Sequence, residues 1–223
     1  MKLTAMKTTT LKAGLAVFFA LPTLVGLLLL LPSGCSSEPA KTATQQAATK
    51  EPEYVTGHVA FQKMFVASRG WARDAQGFRL ASVLSKDSMG HDGKSGIWTA
   101  TFASAVLHSS KPYVWCGSNA PEAPERGVTW GSDDSYSPTN SSTHVFDIAF
   151  LKTDSGEALE AALKHGGAKL MEKDPNQPVM YVLEWDGPSN ALLWHVIFGT
   201  SRTDNKLQIV VNASSGEFAR VEK

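Results

Sequence analysis

The sequence aligns with itself at an offset of 96 residues, and this alignment constrains the fold more than any other feature. The segment WTATFASAVLHSSKPYVWCGS at 98–118 lies without a gap on WHVIFGTSRTDNKLQIVVNAS at 194–214. Trp98 falls on Trp194, and Phe102 falls on Phe198. The order of elements also recurs, because each copy has a helical pattern followed by three strand-like runs. A fixed offset of this kind predicts one supersecondary unit used twice.

These patterns predict an α+β fold of two tandem repeats, each with one helix packed on a three- to four-stranded antiparallel sheet. In the second repeat, Asp154 and Glu157 have the spacing of a helix N-cap and its capping-box partner. Alternating or continuous apolar runs at 178–185, 192–200 and 206–213 predict its strands. In the first repeat, the apolar residues of the helical pattern that fall on one face are Phe61, Met64, Phe65 and Trp71. Its strands are expected near 78–85, 96–106, 111–117 and 126–131.

The composition along the chain gives the expected domain boundaries. Residues 1–35 read as a signal segment, and residues 36–53 as a disordered tether, because they hold no large apolar side chain before Tyr54. The first helix-sheet repeat is expected at 54–131, an inter-repeat loop at 132–143, and the second repeat at 144–223.

The N-terminal segment is typical of protein export. Three lysines precede an apolar run at 14–31, and Ser33 and Gly34 stand directly before Cys35. This arrangement resembles a bacterial lipoprotein signal, which implies cleavage before Cys35 and lipidation of its thiol. Pro32 stands where that family favours leucine. An uncleaved transmembrane helix is the alternative, because a bilayer crossing needs about 20 apolar residues. Both interpretations place the folded part outside the cytoplasm, anchored to a membrane of the bacterial cell envelope, periplasm-facing or on the surface.

The charge distribution argues against nucleic acid as a partner. The chain has 21 basic and 21 acidic residues, and the three lysines of the signal segment are not balanced by any acid there. The remainder therefore has 18 basic against 21 acidic residues, and no block of lysine and arginine. Phosphate binding usually needs such a basic surface.

The second repeat resembles the PepSY domain, and more loosely the cystatin-like class of one helix on an antiparallel sheet. The resemblance rests on PVMYVLEW, LLWHVIFG and LQIVVNASSGEF. Asn212 stands where an acidic residue is usual in the family. The match covers 155–221 reasonably and the first repeat only weakly. PepSY units accompany secreted peptidases as inhibitory or chaperone-like parts, so the resemblance implies a binding or regulatory role.

Alternation along the strand around His195 predicts which side chains face the core and which face away from it. Trp194, Val196 and Phe198 fall on one face of a predicted strand and are expected to cover the apolar side of the helix. His195 falls on the other face, where a solvated or interface-facing position is expected. Cys116 is either a reactive thiol or a small buried hydrophobe, and its apolar strand context favours the second.

Recognisable catalytic and metal-binding patterns do not emerge from the sequence, so we expect no catalytic residue, no metal and no cofactor. The long segment 117–143 is either an inert connector or a binding loop. Its aromatic and acidic residues are the candidates for partner binding: Trp130, Tyr136, Asp133 and Asp134.

Three hypotheses about function follow. The first is a non-catalytic, membrane-tethered binding or regulatory module outside the cytoplasm, peptidase-inhibitor-like or an envelope accessory protein, with a protein or peptide partner. The second is an enzyme of unrecognised type with a pocket between the repeats, drawing on His144, Asp147, His195 or Cys116. The third is a structural envelope lipoprotein with no discrete ligand.

Overall fold

The computed structural model describes residues 50–222, which belong to one compact unit. The predicted signal segment, the lipidated Cys35 and most of the tether lie outside the described residues. The helices are α1 (Gly57–Trp71), α2 (Ser155–Ala162) and α3 (Ala168–Lys173). The strands are β1 (Val55–Thr56), β2 (Gln76–Val83), β3 (Lys94–Ser95), β4 (Ile97–Ser104), β5 (Ser109–Cys116), β6 (Gly127–Trp130), β7 (Asp134–Ser135), β8 (Val179–Asp186), β9 (Ala191–Gly199), β10 (Asn205–Asn212) and β11 (Phe218–Glu222).

One antiparallel sheet of nine strands dominates the structure, and the predicted fold class of two tandem helix-on-sheet repeats is wrong. The strand order is β11-β10-β9-β8-β2-β4-β5-β6, and β7 pairs with β5. The pairing of β2 with β8, in which Leu80 lies opposite Leu183, contradicts the prediction of two separate sheets. This pairing satisfies backbone groups that two separate sheets would leave at exposed edges. The strands that follow α1 and those that follow α3 therefore form one continuous sheet.

The helices lie on one face of this sheet and bury apolar side chains against it. In α1 these include Ala60, Phe61 and Met64, each fully buried. The predicted capping box at Asp154 and Glu157 is confirmed at the start of α2. A π-helical turn at Leu163–Gly167 separates α2 from α3. Among residues 50–222, the helices are all too short or too polar to span a membrane.

Two tryptophans lie at the centre of the core, as the alternation predicted. Trp98 in β4 and Trp194 in β9 are fully buried, and their rings meet edge to face with centroids 6.5 Å apart. Each indole N–H donates to a backbone oxygen just before a helix. Trp98 bonds to Val55 at 3.0 Å, and Trp194 bonds to Thr153 at 2.8 Å. A buried indole usually has such a partner, and these bonds attach the chain just before α1 and α2 to the core.

Candidate functional site

A groove runs between α1 and β6, the edge strand at one end of the sheet, and we call it the α1–β6 groove. Its floor is the face of β5 that carries Lys111, Tyr113 and Trp115. Two cavities lie along it, one of about 380 Å³ and one of about 680 Å³. Binding sites for small ligands commonly have volumes of about 300–1,000 Å³. The smaller cavity is lined by Ala67, Gly70, Trp71, Lys111, Tyr113 and Trp130, and the larger by Lys50, Glu53, Lys63, Trp115, Cys116, Asn119, Arg126, Gly127 and Val128.

The smaller cavity is the aromatic section of the groove. Trp130 is 62% exposed although it is large and apolar. Its ring lies 6.2 Å from that of the buried Tyr113. Gly70 on the facing helix has no atom within 4 Å of the position a Cβ would occupy, which leaves this section open. An exposed tryptophan beside an open cavity is typical of protein interfaces, where such residues supply much of the binding energy.

A polar cluster closes one end of the aromatic section. The carboxylate of Asp133 accepts a hydrogen bond from the Trp71 indole at 3.0 Å and forms an ion pair with Lys111 at 2.8 Å. The Lys111 ammonium also lies 5.4 Å from the centre of the Trp71 ring. The bond from Lys111 lowers the pKa of Asp133, and burial raises the pKa of Tyr113. These contacts hold Trp71 at the groove wall.

The larger cavity is the basic section of the groove. Lys63 lies 5.2 Å from the centre of the Trp115 ring and pairs with Glu53 at 2.8 Å. Arg126 donates to the backbone oxygens of Lys50 and Glu51, at 3.3 and 2.9 Å. The section therefore contains three cationic side chains and one carboxylate.

The groove brings together two of the four residues that the sequence suggested for partner binding. Trp130 lines the groove, and Asp133 bonds to residues that line it. Asp134 instead pairs with Ser110 in the short strand β7. The backbone amide of Tyr136 bonds to the carbonyl of His108, and this residue does not line the groove. That any of these four binds a partner stays a prediction.

Sequence reasoning missed three aromatic or charged residues of the aromatic section: Trp71, Lys111 and Tyr113. Trp71 was assigned to the core because it lies on the apolar side of the α1 pattern, yet it is only partly buried. A signal for the other two was available, since Lys111, Tyr113 and Trp115 alternate along β5 and share one face. Nothing in the local sequence places Trp71 next to Asp133, which is 62 residues away.

The opposite face of the sheet carries a second polar cluster, centred on His195. This histidine was expected to be solvated or to face an interface, and the solvated position is wrong, because it is only 4% exposed. Its Nδ1 lies 3.1 Å from Glu222 and 3.1 Å from the Gln208 amide, and its Nε2 lies 3.6 Å from Glu184. The side chains come from four neighbouring strands, β8 to β11. Arginines partner the two glutamates: Arg202 bonds to Glu184 at 2.6 Å, and Arg220 bonds to Glu222 at 2.6 Å.

Burial lowers the pKa of His195, and the positive charge of Arg202 lowers it further, against the opposing effect of Glu222 and Glu184. The Glu222 carboxylate accepts a hydrogen bond from the Gln208 amide and also lies within hydrogen-bond distance of the histidine Nδ1. The polar groups of this cluster are closely packed and paired with one another. The cluster therefore stabilises the sheet and leaves no open site.

The residues named for an enzyme occupy separate elements. Asp147 accepts a bond from Ala149 in a 3-10 turn. Cys116 ends β5, is 2% exposed and has Ser118 O as its nearest polar partner at 3.8 Å. His144 lies against Gly187 in the turn after β8. Within the described part of the chain, no hydrogen bond joins these residues to one another or to His195, and no group of acidic, histidine or cysteine side chains could hold a metal ion. That the protein is not an enzyme stays a prediction.

Comparison with known proteins adds little. No protein-family model matches the chain, and no curated protein matches it. The fold is similar to that of a "putative lipoprotein" from Clostridium difficile 630 whose crystal structure is known. The TM-score is 0.47 and the sequence identity 13%, over 73% of this chain and 91% of the other. A similarity this distant carries no argument about function, and the resemblance to PepSY domains stays a prediction.

Proposed function

We propose that this chain is a non-catalytic binding module, tethered to a membrane outside the cytoplasm, and that its partner docks in the α1–β6 groove. The observation that carries the proposal is the exposed Trp130 beside an open cavity that is lined by Trp71 and Tyr113. Burying an exposed aromatic side chain on binding contributes about 1.5–3 kcal/mol. Such anchors usually dominate the energy of an interface.

The proposed membrane tether rests on the sequence alone. The export signal ends in Ser33, Gly34 and Cys35, and this pattern supports a lipid anchor. From Cys35 to Lys50 the chain spans 15 residues, which reach about 50 Å when fully extended. A domain held at this distance can meet a partner in the same membrane or in the adjacent compartment. The narrower idea, that the partner is a secreted peptidase, rests on the PepSY resemblance.

Site-specific photocrosslinking in the source cells tests the proposed docking site. A benzoylphenylalanine in place of Trp130 is expected to form a discrete adduct with the partner. The same group in place of Val66, which is 73% exposed on α1 but does not line the groove, is expected to form none.

Two substitutions of Gly70 provide a matched control for the groove itself. Gly70→Leu places a bulky side chain in the aromatic section and is expected to abolish the adduct. Gly70→Ala adds one methyl group in open space and is expected to preserve it. Equal adducts from positions 130 and 66, or an adduct that survives Gly70→Leu, would contradict the proposal.

The anchor is tested separately. Cys35→Ala is expected to prevent incorporation of labelled fatty acid and to leave the signal segment uncleaved, which mass spectrometry of the membrane fraction detects. If the wild-type protein incorporates no fatty acid and keeps its signal segment, the uncleaved transmembrane helix is the correct alternative.

A further inference from the structure

The edge strand β6 presents unpaired backbone groups beside the groove. Gly131 N bonds to Pro112 O at 3.0 Å, and the β5–β6 register pairs Cys116 with Gly127. Bonding in an antiparallel pair alternates between residues. Gly127 and Thr129 therefore direct their N–H and C=O groups at β5, whereas Val128 and Trp130 direct theirs away from the sheet. In residues 50–222 these outward groups have no hydrogen-bond partner.

The bonding of β5 to its other neighbour supports this assignment. Gly117 N bonds to Gly96 O at 2.8 Å, which places the odd-numbered residues of β5 in the bonds to β4. The even-numbered residues of β5 are left for β6, in agreement with the bond to Pro112 O. Val128 and Trp130, whose backbone groups face outward, also line the groove. The same two residues therefore form both the free edge and part of the groove wall.

We infer that the partner is an extended peptide segment that adds to the sheet as a strand beside β6. This inference rests on the proposed function and specifies how the groove is used. The backbone of the peptide bonds to Val128 and Trp130, and every second side chain points into the groove. A large apolar side chain occupies the aromatic section beside Trp130.

Charge complementarity specifies the other end of the peptide. The basic section holds Lys50, Lys63 and Arg126 against Glu53, and only Lys63 is paired with that carboxylate. Glu51 and Glu125, the acidic residues adjacent in sequence to Lys50 and Arg126, do not line the section. A carboxylate of the peptide, on a side chain or at its C-terminus, lies there. Val128 lines the basic section and Trp130 lines the aromatic section, so the acidic and apolar groups are about two to four residues apart.

The shortness of β6 agrees with a peptide rather than a second copy of this chain. The strand has four residues, and natural proteins keep edge strands short to avoid pairing of sheets with one another. A second β6 strand, with the sequence GVTW, offers edge bonds but no carboxylate for the basic section.

Panning a phage library of random 12-residue peptides against the full-length chain in detergent micelles tests the inference. The selected peptides are expected to carry a large apolar residue and an acidic residue at the stated spacing, and to lose binding to Gly70→Leu but not to Gly70→Ala. Hydrogen exchange resolved by residue is expected to show new protection of the Val128 and Trp130 amides on binding. N-methylation at alternate peptide positions is expected to weaken binding about tenfold for each lost bond.

The outcomes separate this inference from the proposed function. If peptides bind and Gly70→Leu blocks them, but the amides of Val128 and Trp130 gain no protection, strand addition is wrong and the groove remains the docking site. If panning recovers no peptide, or only peptides that bind Gly70→Leu equally well, the peptide partner is wrong. The crosslink from position 130 then decides whether the groove takes another class of ligand, such as a glycan.

Discussion

The carboxylate of Asp154 accepts a hydrogen bond from the backbone amide of His58 at 2.8 Å, across 96 residues of sequence. The same oxygen accepts a bond from Ser155 N at 2.7 Å. Thr56, the residue at the N-cap of α1, makes no side-chain capping bond. The hydroxyl of Ser155 accepts from Gly57 N at 2.8 Å. The start of α2 therefore caps both helices and joins them.

Replacing Asp154 by alanine is expected to lower the free energy of unfolding by about 2–3 kcal/mol, because two helix N-termini lose a hydrogen-bond acceptor. Glu157→Ala removes only the return bond of the capping box, at 2.8 Å to Asp154 N, and is expected to cost about 1 kcal/mol or less. Urea denaturation of residues 48–223 measures both. Equal losses from the two variants would show that the bond to His58 contributes nothing.

Two glycines of α1 are expected to respond to alanine in opposite directions. A Cβ at Gly57 would lie 2.5 Å from Trp194 Cη2 and 3.1 Å from Trp98 Cη2. Gly57→Ala therefore overpacks the centre of the core, at an expected cost of about 1–3 kcal/mol. Gly70→Ala meets open space and is expected to stabilise the helix by about 0.5–1 kcal/mol. Thermal unfolding of the two variants side by side checks the contrast, and destabilisation by Gly70→Ala would contradict the open groove.

The local structure of this chain was readable from its sequence. The alternation of Val179, Tyr181 and Leu183 predicted β8, and the Asp154–Glu157 spacing predicted the start of α2, because both signals depend on residues a few positions apart. The burial of Trp98 and Trp194 followed from the same alternation.

The way the elements combine was not readable, and this is why the fold class was wrong. The pairing of Leu80 with Leu183 joins the two halves into one sheet, yet paired and unpaired edge strands have the same periodicity. The candidate site depends on similar long-range contacts. Trp71 reaches Asp133, and His195 is buried by side chains from three other strands, which no local pattern records.

Cys116 is expected to be unreactive in the folded protein, although it borders the groove. Its side chain is 2% exposed, and a thiol reagent must reach the sulfur directly. Labelling by a maleimide is therefore expected to be slow in buffer and to follow the unfolding curve in urea. Rapid labelling without denaturant would show that the thiol is accessible and would restore the interpretation of Cys116 as a reactive group.

The stability of the sheet is expected to fall as the pH drops below about 6.5, because of His195. Burial holds its pKa below the ordinary value of 6.5, so the folded state keeps the ring neutral where the unfolded chain binds a proton. The stabilisation is fully present above pH 6.5 and is lost as the pH falls toward the lower pKa of the folded state. For one group the slope is at most about 1.4 kcal/mol per pH unit.

The groups that face His195 determine how this prediction is checked. They are Glu184 and Glu222, their partners Arg202 and Arg220, the amide of Gln208, and Asp186, which Arg220 contacts at 3.5 Å. Because free carboxylates ordinarily titrate near pH 4, urea denaturation between pH 5 and 7.5 reports mainly on histidine side chains, and a variant of His195 is needed to isolate its contribution. His195→Gln cannot titrate, so the difference between the unfolding free energies of wild type and variant is expected to shrink as the pH falls. A difference that grows instead would mean that Glu184 and Glu222 stabilise a charged ring and raise its pKa.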